Sequence, residues 1–395
     1  MIALGSEREL EREAPALWAA LSPLGRRLAG GAVEAGVRAG AEAAGGALAG
    51  APALGLPEVR RRWRGWQRRA GPAAASTLPC TTVGLTHALS LVADLFAGPG
   101  RAVAVPQPFW GNYRQCFETR NGARLLTAPA YRGGRFNPHA WSEALADEPA
   151  GEPAVAIVNI PSNPGGYSPA PVERQVMLDA LVEEAGRRPL VVLCDDAYAG
   201  LVFEPGIPAA SPFWDLAGAH PNLVAVKVDG ATKEFSFFGG RVGFLTFALE
   251  PDGEGAPALE AMVERLVAAT LGAPAAAPQE VLLAALRQED IEREVEAVRA
   301  LLAGRYRALR DALAAADPAL LHALPFNSGC FALVELPEGL KSDVHAVRRH
   351  LLDRWDTGVI SLEPRYLRIA HCSVDEAALP ELVRRLEGGV GEVVG

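Results

Sequence analysis

Cysteine is scarce in this sequence, and a long apolar run is missing. The five cysteines, at positions 80, 116, 194, 330 and 372, form no CxxC pair or other spacing typical of a metal site. They are typical of reduced cytoplasmic thiols, so we predict that location and no bound metal. No stretch approaches the roughly 20 apolar residues that a membrane span requires, and residues 1–13 lack the apolar core of a secretory signal. We therefore expect a soluble protein that binds no membrane.

Concentrated positive charge is also scarce. The chain of 395 residues has a formal net charge of -9, whereas a protein that binds nucleic acid needs a concentrated basic face. The one arginine cluster, between Arg60 and Arg69, is interleaved with Trp63 and Trp66. This spacing indicates an amphipathic helix with a solvated basic face. We therefore predict no nucleic-acid partner.

Apolar runs alternate with amphipathic segments along the first two thirds of the chain. Hydrophobic residues make up 49% of the sequence, which is enough for one large core and a second, smaller one. Short apolar strands are predicted at 102–105, 154–160, 190–194 and 242–247, and helices at 55–69, 85–96 and 171–187. This alternation predicts an α/β fold with a large domain, in which a mostly parallel sheet lies between helices.

After Phe247 the pattern changes to long helices. Residues 259–317 are strongly helical, with one interruption around 272–279. Strands at 327–336 and 366–369, with helices at 343–355 and 376–386, predict a smaller α+β domain. We assign residues 46–274 to the large domain and residues 275–395 to the small domain.

The remaining residues, 1–45, are assigned to an N-terminal arm that completes the small domain. A helical pattern covers residues 7–28. The Gly/Ala-rich stretch 29–55 buries little apolar area per residue, so it is either a weak helix or a loosely ordered arm.

The stretch 224–247 carries the strongest chemical signal. A β-rich run is predicted to break at Asp229 and Gly230, and a second run begins at Val242. Between them a short loop is expected to present Lys233, with Arg241 eight residues later. A partly desolvated lysine has a lowered pKa, and its amine can attack a carbonyl to form a Schiff base. On this stretch alone, an ordinary solvated lysine is the alternative.

Other candidate residues follow predicted strands or open a helix. Gly84 is expected in a tight turn, so that the amides of Leu85 and Thr86 at the next helix N-terminus form an anion site. The remaining candidates are Trp110 after the strand 102–105, Asn163 in PSNPGGYSP, Asp195 and Tyr198 in DDAY, and Arg368 within the last strand. Ligands of open α/β sheets bind beyond the carboxyl ends of the strands. For Trp110, a place in the core is an equally good explanation.

Taken together, these motifs resemble those of the fold-type I pyridoxal-phosphate enzymes, specifically the class I/II aminotransferases of the aspartate aminotransferase superfamily. The resemblance runs from about residue 55 to the C-terminus and rests on the ordered motifs VGLTHAL, SNPGG, DDAY, ATKEFSFFGGR and RIAHCS. It implies a pyridoxal 5'-phosphate cofactor and the transfer of an amino group between an amino acid and a 2-oxo acid. It also implies a homodimer in which two subunits complete each active site.

The resemblance implies a catalytic role for three residues. Lys233 matches the Schiff-base lysine, which also acts as the base. Asp195 matches the carboxylate that keeps the pyridine nitrogen protonated, while the neighbouring Asp196 is expected to point away. Tyr198 is the third, and it matches the tyrosine that reaches the oxygen on the cofactor ring. Asn163, which matches the asparagine bound to the same oxygen, is assigned to cofactor binding.

The other matches concern the phosphate, the ring face and the substrate. The phosphate site is implied to consist of Gly84, Leu85, Thr86, Thr232 and Arg241. Trp110 matches the aromatic residue that stacks on the ring. Arg368 matches the arginine that binds the substrate carboxylate, with Trp110 and Asn163 beside the substrate.

The sequence departs from the family pattern at two glycines. Gly230 stands where the family usually has a serine that binds the phosphate. Gly50 stands near the place of a tyrosine that normally reaches the phosphate of the partner subunit. These departures predict weaker cofactor binding than in relatives.

Two other functions are compatible with the same motifs. A β-eliminating lyase, or another carbanion chemistry, uses the same cofactor. A non-enzymatic binding domain, of the kind that regulators fuse to a DNA-binding segment, is less favoured because the chain is acidic.

Overall fold

The computed structural model describes residues 50–71, 74–253, 255–338 and 343–394. The predicted helix at 7–28, the arm at 1–45 and most of the Gly/Ala-rich stretch lie outside the described residues. The proposed domain boundaries stay predictions.

A seven-stranded sheet is the main structural layer. The first nine strands are β1 (Cys80–Thr82), β2 (Ala102–Ala104), β3 (Arg124–Leu126), β4 (Tyr131–Arg132), β5 (Arg135–Phe136), β6 (Ala154–Asn159), β7 (Leu190–Asp195), β8 (Leu223–Gly230) and β9 (Gly243–Phe247). Strands β4 and β5 form a separate hairpin, and the others are ordered β1-β9-β8-β7-β6-β2-β3. All neighbouring pairs from β8 to β3 are parallel, whereas β9 is antiparallel to both β8 and β1. This arrangement confirms the predicted α/β fold with a mostly parallel sheet.

The described helices precede, connect and follow these strands. They are α1 (Pro57–Gln67), α2 (Gly84–Phe96), α3 (Ala140–Ala144), α4 (Pro171–Arg187), α5 (Phe213–Leu216), α6 (Ala231–Glu234), α7 (Gly255–Thr270), α8 (Ala276–Leu286), α9 (Ile291–Ala315), α10 (Val344–Trp355) and α11 (Leu379–Val394). Short 3₁₀ turns and one π-helical segment at Arg114–Thr119 complete the described secondary structure.

Helices cover both faces of the large sheet because its central strands are apolar on both faces. Ala156 of β6 and Val192 of β7 belong to one core with the side chains of α4. The alternate residues, Ile157 and Leu193, belong to a second core with α2 and α7. The sheet therefore lies between two helical layers, and its carboxyl edge is left for loops.

A second sheet follows in the C-terminal part of the chain. Its four strands are β10 (His322–Ala323), β11 (Ala332–Glu335), β12 (Ile360–Leu362) and β13 (Tyr366–Ile369), in the order β10-β11-β13-β12 and all antiparallel. Side chains of α9, α10 and α11 form a separate core against this sheet. The predicted smaller α+β unit is therefore present.

Several predicted bounds agree with the structure, and three predictions were wrong. The helix 171–187 and the strand 366–369 have the predicted bounds. The strand predicted at 327–336 covers only 332–335, and the helix predicted from 376 begins with a 3₁₀ turn and continues to 394. The long helical region breaks a second time, at 287–290.

None of the described helices combines the length and hydrophobicity needed to cross a bilayer. The described residues also contain no group of three or more His, Cys, Asp or Glu side chains arranged to hold a metal ion.

Candidate active site

A cavity of about 290 Å³ lies where the carboxyl ends of β6 and β7 meet the start of α2 and the turn after β8. Ten of the eleven sequence-predicted site residues line it, all except Gly84, together with Tyr113, Asn159, Ala197 and two phenylalanines. The lining residues are Leu85, Thr86, Trp110, Tyr113, Asn159, Asn163, Asp195, Ala197, Tyr198, Thr232, Lys233, Phe238, Arg241, Phe331 and Arg368. The predicted site residues, which are scattered over 285 positions from Gly84 to Arg368, are thus brought together at one edge of the sheet.

The sequence indicated a loop around Lys233, but this residue lies in the one-turn helix α6. Strand β8 continues through Asp229 and Gly230, so the predicted break at these two residues was also wrong. The Lys233 amine lies 3.9 Å from the ring centroid of Phe238 and 5.8 Å from that of Tyr198. Burial lowers the pKa of Lys233, because a desolvated amine loses the water that stabilises its charge.

Lys227 shows by contrast how a structural lysine is held. Its amine forms a buried ion pair with Asp196 and lies 3.5 Å from Asp229. Burial opposes the charge, but the two carboxylates outweigh it and raise the pKa of Lys227. Asp196 therefore points away from the cavity, as expected, and Lys233 is the one described lysine that lines it.

Asp195 ends β7 and is buried in the floor of the cavity. The hydroxyl of Tyr113 donates a hydrogen bond of 2.6 Å to its Oδ2 atom, and the backbone N–H of Ala197 donates one of 3.2 Å to Oδ1. Burial raises the pKa of Asp195 to about 6, and both hydrogen bonds act in the opposite direction. This carboxylate is thus positioned to bind a cationic or protonated partner.

Sequence reasoning missed two of the polar residues in this floor. Tyr113 was passed over although it lies three residues after Trp110, and its ring packs edge-on against that of Trp110 at 5.7 Å. Asn159, the last residue of β6, donates to the backbone oxygen of Asp195 at 2.8 Å and accepts from the backbone N–H of Asn163 at 2.6 Å. The signal for Asn159 was a polar residue at the end of an apolar strand, four residues before Asn163.

Asn163 joins the floor of the cavity to its opposite wall. Its Oδ1 atom accepts a hydrogen bond of 3.0 Å from Arg368 Nη1, and its Nδ2 atom lies 3.5 Å from the hydroxyl of Tyr198. Arg368 projects from β13, so this contact links the two sheets. Arg368 lines the cavity, which explains why a charged side chain is present within a strand.

The guanidinium of Arg368 lies over the ring of Phe331, 4.3 Å from its centroid. Burial lowers the pKa of Arg368, and its Nε atom is buried without a hydrogen-bond partner. A buried donor with no acceptor favours an anionic ligand that can accept from it.

The start of α2 and the turn after β8 together form an anion site. Gly84 has a φ of +74°, and a side-chain carbon there would lie 2.5 Å from Arg241 Nη2. The guanidinium therefore lies against the glycine backbone, next to the unpaired amides of Leu85 and Thr86. Thr232 adds a buried hydroxyl that has no partner among the described residues.

The structure also explains why a glycine, and not the family serine, stands at position 230. A side-chain carbon at Gly230 would lie 2.7 Å from the backbone oxygen of Val242 and 2.8 Å from Gly243 Cα. The serine that the family usually has here would not fit this backbone. Gly50 is exposed in open space with a φ of +77°, a conformation that a tyrosine rarely adopts.

The residues present fit the predicted cofactor at each of its functional groups. Arg241, Thr232 and the helix N-terminus offer donors for a phosphate, and the orphaned hydroxyl of Thr232 lacks any other partner in the described residues. Asp195 offers a buried carboxylate for a pyridine nitrogen. Lys233 offers an amine of lowered pKa for an aldehyde.

Comparisons with known proteins agree with this geometry. The family model described as "Aminotransferase class I and II" matches residues 27–386. A 2-aminoadipate transaminase from Thermus thermophilus is 28% identical over 319 residues, which cover 77% of this chain and 73% of that protein.

Two solved structures share the fold. An aminotransferase from Anaerococcus prevotii superimposes with a TM-score of 0.74 at 20% identity, covering 87% of this chain and 82% of the other. LysN, an α-aminoadipate aminotransferase from Thermus thermophilus solved with N-(5'-phosphopyridoxyl)-L-leucine, superimposes with a TM-score of 0.72 at 24% identity, covering 90% and 88%.

Proposed function

The chain belongs to the class I and II aminotransferases, which transfer an amino group with pyridoxal phosphate, and we propose that Lys233 is the residue that bonds the cofactor covalently. The observation that carries this assignment is the half-buried amine of Lys233 in one cavity with Asp195, Arg241 and Arg368. Of the two described lysines, Lys227 is held by carboxylates and lies outside this cavity.

When bound, pyridoxal phosphate supplies an electron sink that stabilises negative charge at the substrate α-carbon. Asp195 would support this by keeping a proton on the pyridine nitrogen, since a buried carboxylate strongly favours a cationic partner. Tyr113 and the backbone N–H of Ala197 hold the carboxylate in place and favour its charged form.

Lys233 Nζ is the base that moves a proton at the substrate α-carbon. Because burial lowers its pKa, a larger fraction of this amine is neutral near pH 7 than for an exposed lysine. Tyr198, whose ring lies next to the amine and whose hydroxyl faces Asn163, orients the groups around the ring oxygen.

Arg241, Thr232 and the amides of Leu85 and Thr86 would hold the phosphate, and Gly84 allows the arginine to approach the backbone. Trp110 closes one wall of the cavity and provides an aromatic surface for the pyridine ring. The missing side chain at Gly230 leaves one fewer hydroxyl for the phosphate.

The substrates are an amino acid and a 2-oxo acid, and we assign their α-carboxylate to Arg368 and Asn163. Arg368 is held against Phe331 and by the Asn163 amide oxygen, which fixes the guanidinium before substrate arrives. Its unpaired Nε supplies a second donor for a bidentate carboxylate contact.

We further propose that two copies of this chain form a homodimer through the large sheet layer and the surface around α1 and α8. Three large apolar side chains are exposed on α8 and on the segment before it: Val281 (56%) on α8, Met262 (45%) on α7 and Leu271 (46%) just after α7. Phe238, which covers Lys233, is 54% exposed at the mouth of the cavity. Burial of these side chains by a second copy would remove apolar surface from water. The cytoplasmic location stays a prediction from the cysteine content.

A single assay distinguishes the proposed reaction from the lyase alternative. The purified protein is mixed with a panel of amino acids, and the absorbance of the cofactor is followed while ammonia is measured. Conversion to the pyridoxamine form without ammonia supports transamination, whereas release of ammonia and pyruvate from amino acids with a β-leaving group would show elimination. Sedimentation of the same sample tests the dimer, which a catalytically active monomer would contradict.

A further inference from the structure

Two cysteines lie next to Lys233 at one end of the second sheet. Strands β11 and β13 are antiparallel, and Ala332 at the start of β11 pairs with Ile369 at the end of β13. Cys330, two residues before Ala332, and Cys372, three residues after Ile369, are therefore brought to the same end of this strand pair. Both belong to the hydrophobic cluster around Tyr198.

The two cysteines share one cluster but differ in exposure. They are close enough for each to influence the charge of the other and of Lys233, and Ser373 Oγ lies 3.6 Å from Cys372 Sγ. Cys330 is buried, whereas Cys372 is only partly buried in its 3₁₀ turn. Cys372 is thus the member of the pair that is more accessible from solvent.

The surroundings make the two thiols unequal. The neighbouring Cys330 thiol is the main cause that lowers the pKa of Cys372 to about 6, and Ser373 and Lys233 act in the same direction. Cys372 in turn raises the pKa of Cys330. Burial raises the pKa of each of the other three cysteines, Cys80, Cys116 and Cys194. Thiolate reactivity is therefore concentrated at Cys372.

We propose that Cys372 and Cys330 form a reversible oxidation site that hydrogen peroxide converts to a disulfide. The Cys372 thiolate attacks one peroxide oxygen, the O–O bond breaks, and hydroxide leaves, so that Cys372 becomes a sulfenic acid. The Cys330 sulfur then attacks the Cys372 sulfur, the S–O bond breaks, and water leaves with the Cys330 proton. The two thiols lose two electrons, and with the proton of Cys372 the peroxide is reduced to two waters.

A metal ion is a poorer match for this pair. The described residues contain no third His, Cys, Asp or Glu ligand grouped with them. His371, which precedes Cys372, is fully buried with its ring against Phe203 and Tyr306. A two-thiol site without further ligands favours oxidation over coordination.

The disulfide would affect the active site by displacing Phe331. This residue follows Cys330, carries Arg368 on its ring face at 4.3 Å, and packs edge-on against Tyr198 at 5.6 Å. A shift of Cys330 toward Cys372 would move Phe331. The Arg368 guanidinium lies on the ring of Phe331, so it would move as well. This consequence rests on the proposed function, because it assigns Arg368 to substrate binding, whereas the disulfide itself does not.

Mass spectrometry of the full chain tests the oxidation site without any activity measurement. The reduced protein is treated with hydrogen peroxide, the remaining thiols are alkylated under denaturing conditions, and the peptides are mapped. We expect two of the five thiols to be lost, with a Cys330–Cys372 cross-linked peptide that dithiothreitol cleaves. A cross-link between other cysteines, or an unchanged thiol count, would overturn the proposal.

Single variants separate the two roles. In Cys330→Ser, Cys372 should stop at the sulfenic acid and react with dimedone. Cys372→Ser should form neither product, and Cys116→Ser, which removes a buried thiol hydrogen-bonded to Ser90, should behave like wild type. A second measurement on the wild type does not depend on the folding of any variant. Limited iodoacetamide at pH 6.5 should alkylate Cys372 first, and faster labelling of any other cysteine would contradict the assignment.

The effect on the enzyme is measured afterwards on the holoenzyme. If Arg368 binds the substrate, the disulfide should raise KM for the amino acid several-fold while the cofactor absorbance is kept. If the disulfide forms with no change in KM, the oxidation site is supported, but its proposed effect on Arg368 is wrong.

Discussion

The hydroxyl of Tyr113 donates a hydrogen bond of 2.6 Å to Asp195 Oδ2 in the floor of the cavity. Both side chains are buried, so this contact is shielded from water and its donor cannot be replaced by solvent. It orients the carboxylate and favours its charged form.

Replacing Tyr113 by Phe should therefore raise the pKa of Asp195 above about 6, because a donor that stabilises the carboxylate is lost. A hydrogen bond to a charged group contributes about 1.5–3 kcal/mol, so kcat/KM should fall roughly tenfold to a hundredfold. The pKa is followed by ¹³C NMR of the carboxyl group in cofactor-free protein. Tyr306→Phe is the matched control, since Tyr306 donates to Glu204 outside the cavity, at 2.7 Å. An unchanged pKa in Tyr113→Phe would contradict the role given to Tyr113.

Asp195 should also make the stability of the cofactor-free protein depend on pH. Its pKa is raised from 3.8 to about 6 in the folded state, mainly by burial, so the folded protein binds this proton more tightly than the unfolded chain does. The stabilising effect is complete below about pH 4 and is lost as the pH rises through about 6. Asp195→Asn removes this dependence.

The variant Asp195→Asn should therefore gain unfolding free energy relative to wild type between pH 4 and pH 7, by up to about 3 kcal/mol, while it loses turnover. Urea unfolding of both cofactor-free proteins at several pH values measures the difference. A difference that is constant over this range would contradict the assignment of the raised pKa to Asp195.

Arg368→Ala should lower kcat/KM by the equivalent of about 2–4 kcal/mol, because it removes a charge-assisted contact to the substrate carboxylate. The cofactor absorbance should be retained, since the phosphate contacts lie on Arg241 and α2. Arg365→Ala is the control, because Arg365 pairs with Glu335 and Glu338 away from the cavity. Loss of the cofactor in Arg368→Ala would instead show that this arginine is structural.

Gly84→Ala should weaken cofactor binding about tenfold or more. A side chain at a φ of +74° costs roughly 1–2 kcal/mol, and the added carbon would displace the guanidinium of Arg241. Equilibrium titration with pyridoxal phosphate measures the affinity. Gly186→Ala, in α4 with open space around it, should leave that affinity unchanged. Equal affinities of the two variants would contradict the assignment of Gly84 and Arg241 to phosphate binding.

The parts of the site that the sequence revealed are those with local signals. Gly84, Asn163, Asp195 and Lys233 lie in short motifs whose spacing is characteristic, and each ends or follows a strand of the predicted sheet. Because parallel strands share a carboxyl edge, the predicted parallel sheet was enough to place these residues at one edge.

The parts that the sequence did not reveal depend on contacts between distant positions. Tyr113 is 82 residues from Asp195, and nothing in its neighbourhood distinguishes it from a core tyrosine. The predicted strand 327–336 is shortened because Asn327 is hydrogen-bonded to Ser168 through both its amide atoms and is not paired in the sheet. The lack of space at Gly230 likewise results from Gly243, at the start of the neighbouring strand, and from Val242, which precedes it.

The attachment of the cofactor to Lys233 is tested most directly by reduction with sodium borohydride followed by peptide mapping. The chain contains three lysines, at positions 227, 233 and 341, so the label can be assigned without ambiguity. We expect the purified protein to be yellow and the reduced phosphopyridoxyl group to be found on Lys233 alone. Lys227 serves as an internal control, because its amine is held by Asp196. A label on Lys227 or Lys341, or no label on a protein that still turns over substrate, would contradict the central assignment.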